Sequence, residues 1–333
     1  VEYRKVRSTY QVQNYKTEES ENLYVYAIER SLQLISSDSR LGLIVPISLV
    51  SVPDNNVARK ILLDQGSSWF SNYAIRPAKL FEGVEQRLTI CLVDRDKGSN
   101  KRAYSTKYNQ WFKDERPSLF QKLTYGDTTD LANENLIPKS GSDIAIGVLK
   151  ELANIKSNLV ALHLVSESKH KLYFHRTPGY WIRMMDFLPY YKSPTGDRSI
   201  FHTRELSVSD AAYNKFIGAV VNSTLYFFNF FAMGNCRNLT LEDVKSFPLG
   251  KPEKETLMAT GRLFDELMKD FNKNSFINHR GPTEFQEFDW DLSKPIIDEI
   301  DRALARHYGL SAEELDFIIN YDVKYRMGVS ALG

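Results

Sequence analysis

The chain has 333 residues, of which 42% are hydrophobic and 26% charged, with a net charge of +1. That length supports two or three domains with a sizeable core, and that composition excludes disordered and collagen-like chains. The near-zero balance excludes a protein held to nucleic acid by bulk charge alone, and two cysteines, Cys91 and Cys236, exclude a disulfide framework.

With both thiols expected free, a reducing cytoplasm suits the chain, and no signal or transit pattern follows Val1. Residues 1–18 are polar with scattered aromatics and read as a loop or arm. Glu18, Glu19 and Glu21 then load a helix start with negative charge, and Tyr24, Ile28, Leu32 and Ile35 give that helix one apolar stripe. The run LGLIVPISLV reads as a strand covered on both faces, followed by a helix in NNVARKILLDQ and a strand in WFSNYAIRP. The next strand alternates, with Leu88, Ile90 and Leu92 opposite Thr89, Cys91 and Val93. Together these pieces predict the closing part of an α/β sheet ending in a two-stranded hairpin, with Phe81 at the turn before the last strand.

From about Gly98 to Arg116 charged and polar residues dominate. A helix is predicted from Asp143 to Asn154, then strands in KSNLVALHLVSE and KHKLYFHRTPGYWIRM with a turn at Pro178-Gly179. Ser209 is placed to cap a helix that is apolar on nearly every face from Phe216 to Phe231. Asn222, Ser223 and Asn229 interrupt it, which favours a buried helix over a membrane span. Pro252 and Glu253 open a further helix with Leu257, Phe264, Leu267 and Phe271 on its core side. Pro295 and Gly309 bracket another, and Ser311 with Glu314 forms a capping box for the last.

The stretches ENLYVYAIERSLQLI, RLGLIVPISL and FEGVEQRLTICL, and the tail from SKPIIDEIDRALARHYGL onward, resemble the later part of gamma-class adenine-N6 DNA methyltransferases of type IIG and type I-like restriction-modification systems. The resemblance is weak between about 100 and 205, where that family keeps its target-recognition region. It implies an α/β plus α+β chain in three parts. Residues 1–97 would be the end of an incomplete Rossmann-like methyltransferase sheet, 98–208 a target-recognition module, and 209–333 helices bracing it. The implied reaction is methyl transfer from S-adenosylmethionine to adenine N6 in double-stranded DNA, with Phe81 stacking on the flipped base. The other reading of Phe81 is a plug at the end of the sheet.

The devices such a reaction needs are missing. None of the 17 glycines forms a Gly-x-Gly turn for the cofactor, and none of the 12 prolines is adjacent to another, as an Asn/Asp-Pro-Pro-aromatic turn requires. The expectation is therefore the C-terminal part of a longer enzyme, inactive alone, with no cofactor bound to this chain and no membrane partner. The alternatives are a specificity subunit docking a separate catalytic chain through the strand edge at Leu43–Val45, or a structural protein that has lost DNA.

No metal site is expected. His163, His170 and His175 fall in predicted strands at spacings that do not share one face, and Glu167-Ser168-Lys169 lacks the aspartate that would complete a nuclease site. What remains is recognition. Lys169, Lys171, Arg176, Tyr180, Trp181, Arg183, Tyr190, Tyr191, Lys192 and Arg198 interleave cations with aromatics, suited to phosphate contact and stacking or to ordinary rim duty. Arg237 and Asn238 follow the buried helix, and the family carries a similar Arg-Asn or Arg-Asp pair before its own Phe-Pro; Arg237 is expected to position a phosphate, with Asn238 beside it or in an ordinary turn role.

Overall fold

A computed structural model describes residues 15–18, 20, 22–95, 101–194 and 203–328. The chain is a mixed α/β protein that divides into two compact units. The first comprises residues 1–146 and 231–235, the second 147–230 and 236–333.

The first unit is organised by a five-stranded mixed sheet. Its helix α1 (Leu23–Leu34) starts at Asn22 with no acidic residue in its first turn, so Glu18 lies short of the helix dipole, and Glu19 and Glu21 lie outside the described residues. A different carboxylate matters here. Glu29, on the buried face beside Val25, Ile28 and Leu32, accepts the Lys16 and Thr17 amides at 2.9 Å and the Thr17 hydroxyl at 2.7 Å. The buried charge thus anchors the segment entering the helix.

Strands β1 (Arg40–Pro46), β2 (Ser67–Tyr73), β3 (Leu88–Asp94), β4 (Ala103–Asn109) and β5 (Gly126–Asp127) lie in the order β1-β3-β2-β4-β5. Strand β3 is antiparallel to both its neighbours, while β2 and β4 are parallel. Helix α2 (Asn56–Leu63) connects β1 to β2. The expectation that β1 is covered on both faces is not met. Among the described residues it is an edge strand, Arg40, Gly42 and Ile44 are exposed, and Ile44 meets its β3 partners beside an exposed Leu92. Strand β3 buries Thr89, Cys91 and Val93 together with Leu88, whereas Leu92 is exposed.

Thr89 is accommodated because its hydroxyl donates to Asn72 Oδ1 at 2.9 Å. Asn72 Nδ2 in turn donates to the Ser105 hydroxyl and the Thr106 carbonyl, both at 3.0 Å. One fully buried asparagine therefore ties β2 to both neighbours at a register shift between Phe70 and Asn72. The polar residues beyond Gly98 are accordingly not all surface: β4, inside the stretch expected to begin a separate module, is part of this sheet, with Ala103, Ser105, Thr106 and Tyr108 buried.

Helix α3 (Asp143–Asn154) follows as predicted. In the second unit, KSNLVALHLVSE is not a strand. It forms a 3-10 turn at Val160–His163 flanked by single bridges from Leu159 to Pro248 and Leu164 to Val208. Strands β6 (His170–His175), β7 (Met184–Met185) and β9 (Thr203–Val208) form one three-stranded sheet in the order β7-β6-β9. Gly179, at φ +60°, makes the turn between β6 and β7.

The apolar helix is two helices, α4 (Ala211–Asn222) and α5 (Thr224–Met233), bent by 63° at Ser223. Its cap is Asp210 rather than Ser209: the carboxylate accepts the Ala212 and Tyr213 amides at 2.9 and 3.0 Å. Every orphan donor at the buried break is satisfied. Asp301 accepts the Thr224 and Leu225 amides at 3.2 and 3.1 Å, Ser223 Oγ accepts the Tyr226 amide at 3.0 Å, and the Ser223 carbonyl accepts that of Phe227. Among the described residues no single helix is long and apolar enough to cross a membrane.

The short helix α6 (Leu241–Lys245) carries its own capping box from Thr240 and Asp243. Helix α7 (Lys254–Lys273) packs Phe264, Leu267 and Phe271 inward. The region after 209 is not wholly helical, however. SFINHR and TEFQEF form a hairpin, β10 (Ser275–Arg280) and β11 (Thr283–Phe288), turning at Gly281 with φ +58°. Strand β8 (Tyr191–Lys192) pairs with β11 to complete a second three-stranded sheet. Helices α8 (Lys294–Tyr308) and α9 (Ala312–Ile319) follow, with Gly309 left-handed at φ +72° and Ser311 and Glu314 in the predicted capping box.

Candidate nucleic-acid interface

Phe81 lies on the connection between β2 and β3 and is 41% exposed. Its neighbour Leu80 is buried in a cluster with Tyr73, Leu88, Trp111 and Leu119. Two adjacent apolar residues thus point opposite ways, and the inward position is already filled. Phe81 does not plug the sheet. The connection is fastened on both sides: the Ala78 amide donates to the Trp111 carbonyl at 3.1 Å, and the Arg116 guanidinium donates to the Lys79 and Leu80 carbonyls at 3.0 and 2.6 Å. Lys79 pairs with Glu85, and Gly83 takes φ +77° just past the phenylalanine. An exposed ring on a pinned backbone can receive a flat partner without reorganising.

The remaining candidates lie in the second unit. Lys169 is exposed at the foot of β6, and Lys171 on that strand pairs with Glu205, which holds its ammonium above the ordinary lysine range. Arg176 accepts the Leu239 amide with its carbonyl at 2.7 Å, which leaves the side chain half-buried at the strand end. Exposed Arg237 and half-buried Asn238 precede fully buried Leu239, so the β6 end and the 237–238 turn are joined through one backbone bond. Arg198 lies outside the described residues.

Trp181 is buried and unavailable for stacking on a base. The Arg326 guanidinium sits 3.9 Å over its ring and 4.5 Å from that of Phe227. Arg326 also donates to the Tyr180 carbonyl at 3.2 Å, so both members of the Tyr180-Trp181 pair are held from the C-terminal side. Burial lowers the Arg326 guanidinium to about 10, where it remains charged at neutral pH.

Arg183 and Tyr191 belong to a different feature, a cavity of about 450 Å³ between the β6–β7–β9 sheet and the β8–β11–β10 sheet. The Arg183 guanidinium is 4.8 Å from the Trp290 ring centre and donates to the Thr177 carbonyl at 3.1 Å. Burial lowers it to about 10, with Glu287 opposing the shift. Lys192 lies beside this sheet at 3.6 Å from Glu284, which also accepts the Tyr190 hydroxyl at 2.8 Å.

Sequence reasoning missed His175, Arg280, Phe285, Glu287 and Trp290 of this cavity. The alternation in TEFQEF around Gly281-Pro282 carried the signal for the hairpin that presents most of them.

His163 is not on a strand. It is stacked 3.6 Å from the Tyr213 ring and bonded through Nε2 to Asn158 at 2.6 Å, and burial lowers its imidazole below the ordinary histidine range. Among the described residues no group of three or more His, Cys, Asp or Glu side chains could hold a metal. A cavity in the first unit, about 420 Å³ beside Lys16, Thr17, Asp54 and Asn56, has no aromatic ring and no glycine in its lining. That cavity offers neither a stacking platform nor a backbone cradle for an adenosyl cofactor.

No protein-family model matches the chain, and no curated protein matches it. Among solved structures it is similar to the ATP-dependent Type ISP restriction-modification enzyme LlaBIII bound to DNA, at 11% identity and a TM-score of 0.36. The match covers 84% of this chain and 28% of that one. At those values the likeness fixes neither fold nor function.

Proposed function

We propose that this chain is the DNA-recognition and base-flipping portion of a site-specific adenine-N6 DNA methyltransferase of restriction-modification type, with the methyl-transfer chemistry carried elsewhere. The observation that carries the reading is Phe81, an exposed ring directly after backbone held by Arg116 at Lys79 and Leu80. A base leaving the duplex loses its stacking, and a ring that restacks it returns about 1–3 kcal/mol. Lys169, Arg176, Lys192 and Arg237 would contact phosphates, which sets affinity and register rather than sequence.

The parent reaction would draw its methyl group from S-adenosylmethionine bound outside these residues. The edge of β1, open among the described residues, with Ile44 exposed beside Leu92, supports the same division of labour. An unpaired edge with apolar neighbours is a place where a further strand would pair. It equally favours the second reading, a specificity subunit that docks a separate catalytic chain. Either way the partner is double-stranded DNA.

The test is a duplex carrying 2-aminopurine in a mismatched pair, which lowers the cost of extrusion. The bound wild-type chain should raise 2-aminopurine emission, and Phe81→Ala should lose at least half of that rise while still binding the duplex. Emission that stays flat under saturating wild-type chain, or is unaffected by Phe81→Ala, contradicts the assignment.

A further inference from the structure

We propose that the cavity beside Arg183 is a receptor for a single unstacked guanine base. The pairing register builds one wall. Phe285 faces Tyr191 and Thr283 faces Arg280, and with the two-residue repeat of a strand this sets Arg280, Phe285, Glu287 and Tyr191 on one side of the β8–β11–β10 sheet. All four line the cavity, with Arg183 and Trp290. The volume, about 450 Å³, suits a nucleotide-sized ligand, and the aromatic lining suits a flat one.

The polar groups narrow the choice. Arg183 Nη2 is spent on the Thr177 carbonyl and lies 3.4 Å from His175 Nδ1, but Nη1 makes no hydrogen bond among the described residues. Its planar fork is fixed by stacking on Trp290, so its free donors are already oriented. Glu287 Oε2 accepts the Asn278 amide group, and Oε1 has no partner among the described residues. The cavity therefore offers a cationic donor and an anionic acceptor together.

A free phosphate or carboxylate would meet the Glu287 charge and be disfavoured. A neutral heterocycle with both an acceptor edge and a donor edge is matched. Guanine presents O6 and N7 to a guanidinium and N1–H and N2–H to a carboxylate, and arginine on the O6/N7 edge is the commonest specific base contact. Arg280, exposed at the rim, would face the phosphate of the same nucleotide.

The assignment goes beyond the reading above and does not require it, because a free nucleotide tests the cavity without any duplex. Calorimetric titration of the full chain with guanosine, adenosine and cytidine monophosphates should give one saturable site. Guanosine monophosphate should bind at least tenfold more tightly than the other two, and inorganic phosphate should not displace it. Arg183→Lys and Glu287→Ala should each weaken it tenfold or more; Glu287 sits on a surface hairpin, so that variant should keep the wild-type melting temperature. Equal binding of the three nucleotides, displacement by phosphate, no binding, or unchanged affinity in both variants overturns the assignment.

A duplex with guanine opposite an abasic site, compared with its fully paired counterpart, distinguishes the source. Tighter binding of the former, lost in Glu287→Ala, identifies an extruded DNA base. Guanosine monophosphate binding with no preference between the duplexes identifies a free nucleotide. A chain that binds the nucleotide and no DNA keeps the cavity assignment while ending the recognition reading, and the converse result does the opposite.

Discussion

Replacing Asp301 with alanine removes the acceptor for two backbone amides at the start of α5, at 3.2 and 3.1 Å, in a site that is 1% exposed. An unsatisfied buried donor costs about 1–3 kcal/mol. Two of them, partly relieved by relaxation, give about 3 kcal/mol. For a unit of this size that lowers the melting temperature by about 6–12 °C.

The pH dependence supplies a second handle. Burial pushes the Asp301 carboxyl up to about 6, above the ~3.9 of a free aspartate. A raised pKa in the folded state means the fold holds the proton more tightly than the unfolded chain does. The contribution is therefore complete below about pH 4 and is lost as pH rises through about 6, a change of about 3 kcal/mol. Urea unfolding of wild type and Asp301→Ala at pH 4 and at pH 7 should show the full cost at pH 4 and a gap that narrows by pH 7. Asp301→Asn, which keeps an acceptor and cannot ionise, should gain on the wild type over the same interval. A loss below ~1 kcal/mol at pH 4, or gaps independent of pH, would refute the reasoning.

Three further outcomes follow from the packing and the charges. At Gly218 in α4 an added Cβ would fall inside the van der Waals envelope of the fully buried Phe264 ring of α7, so Gly218→Ala should destabilise by about 1–3 kcal/mol, although alanine is the better helix former by about 1 kcal/mol. Leu80→Ala should cost about 2–5 kcal/mol in denaturant unfolding, while Phe81→Ala should change stability by less than about 1 kcal/mol; similar costs for the two would mean that Phe81 is a core residue after all. If Arg237 holds a phosphate, Arg237→Ala should weaken duplex binding equally for unrelated sequences and reduce the slope of log K against log salt by about 1.

Much of the architecture was legible where the physics is local. Gly309 and the Ser311–Glu314 box act within one turn, and α3 keeps the 3.6-residue spacing of its apolar residues. The misreadings share a cause: burial of polar residues is decided by partners remote in sequence. Thr89 faces inward because Asn72 accepts its hydroxyl, and β4 buries Ser105 and Thr106 in a stretch that reads only as charged and polar. The α4–α5 helix breaks at Ser223 because Asp301, 77 residues beyond Thr224, satisfies the freed amides. Phe81 was visible as a residue, but its exposure depended on Leu80 taking the core position. Trp181 reads from sequence as a stacking platform, but Arg326, remote in sequence, covers its ring.

The claim at the centre of this account is that the chain holds duplex DNA through a small set of phosphate contacts despite its near-zero net charge. Fluorescence anisotropy of a labelled duplex with the full chain between 50 and 200 mM salt measures it directly. With Lys169, Arg176, Lys192 and Arg237 each neutralising one phosphate, the slope of log K against log salt should be about −3 to −4. Absence of binding at 50 mM salt, or an affinity that does not change with salt, would contradict it.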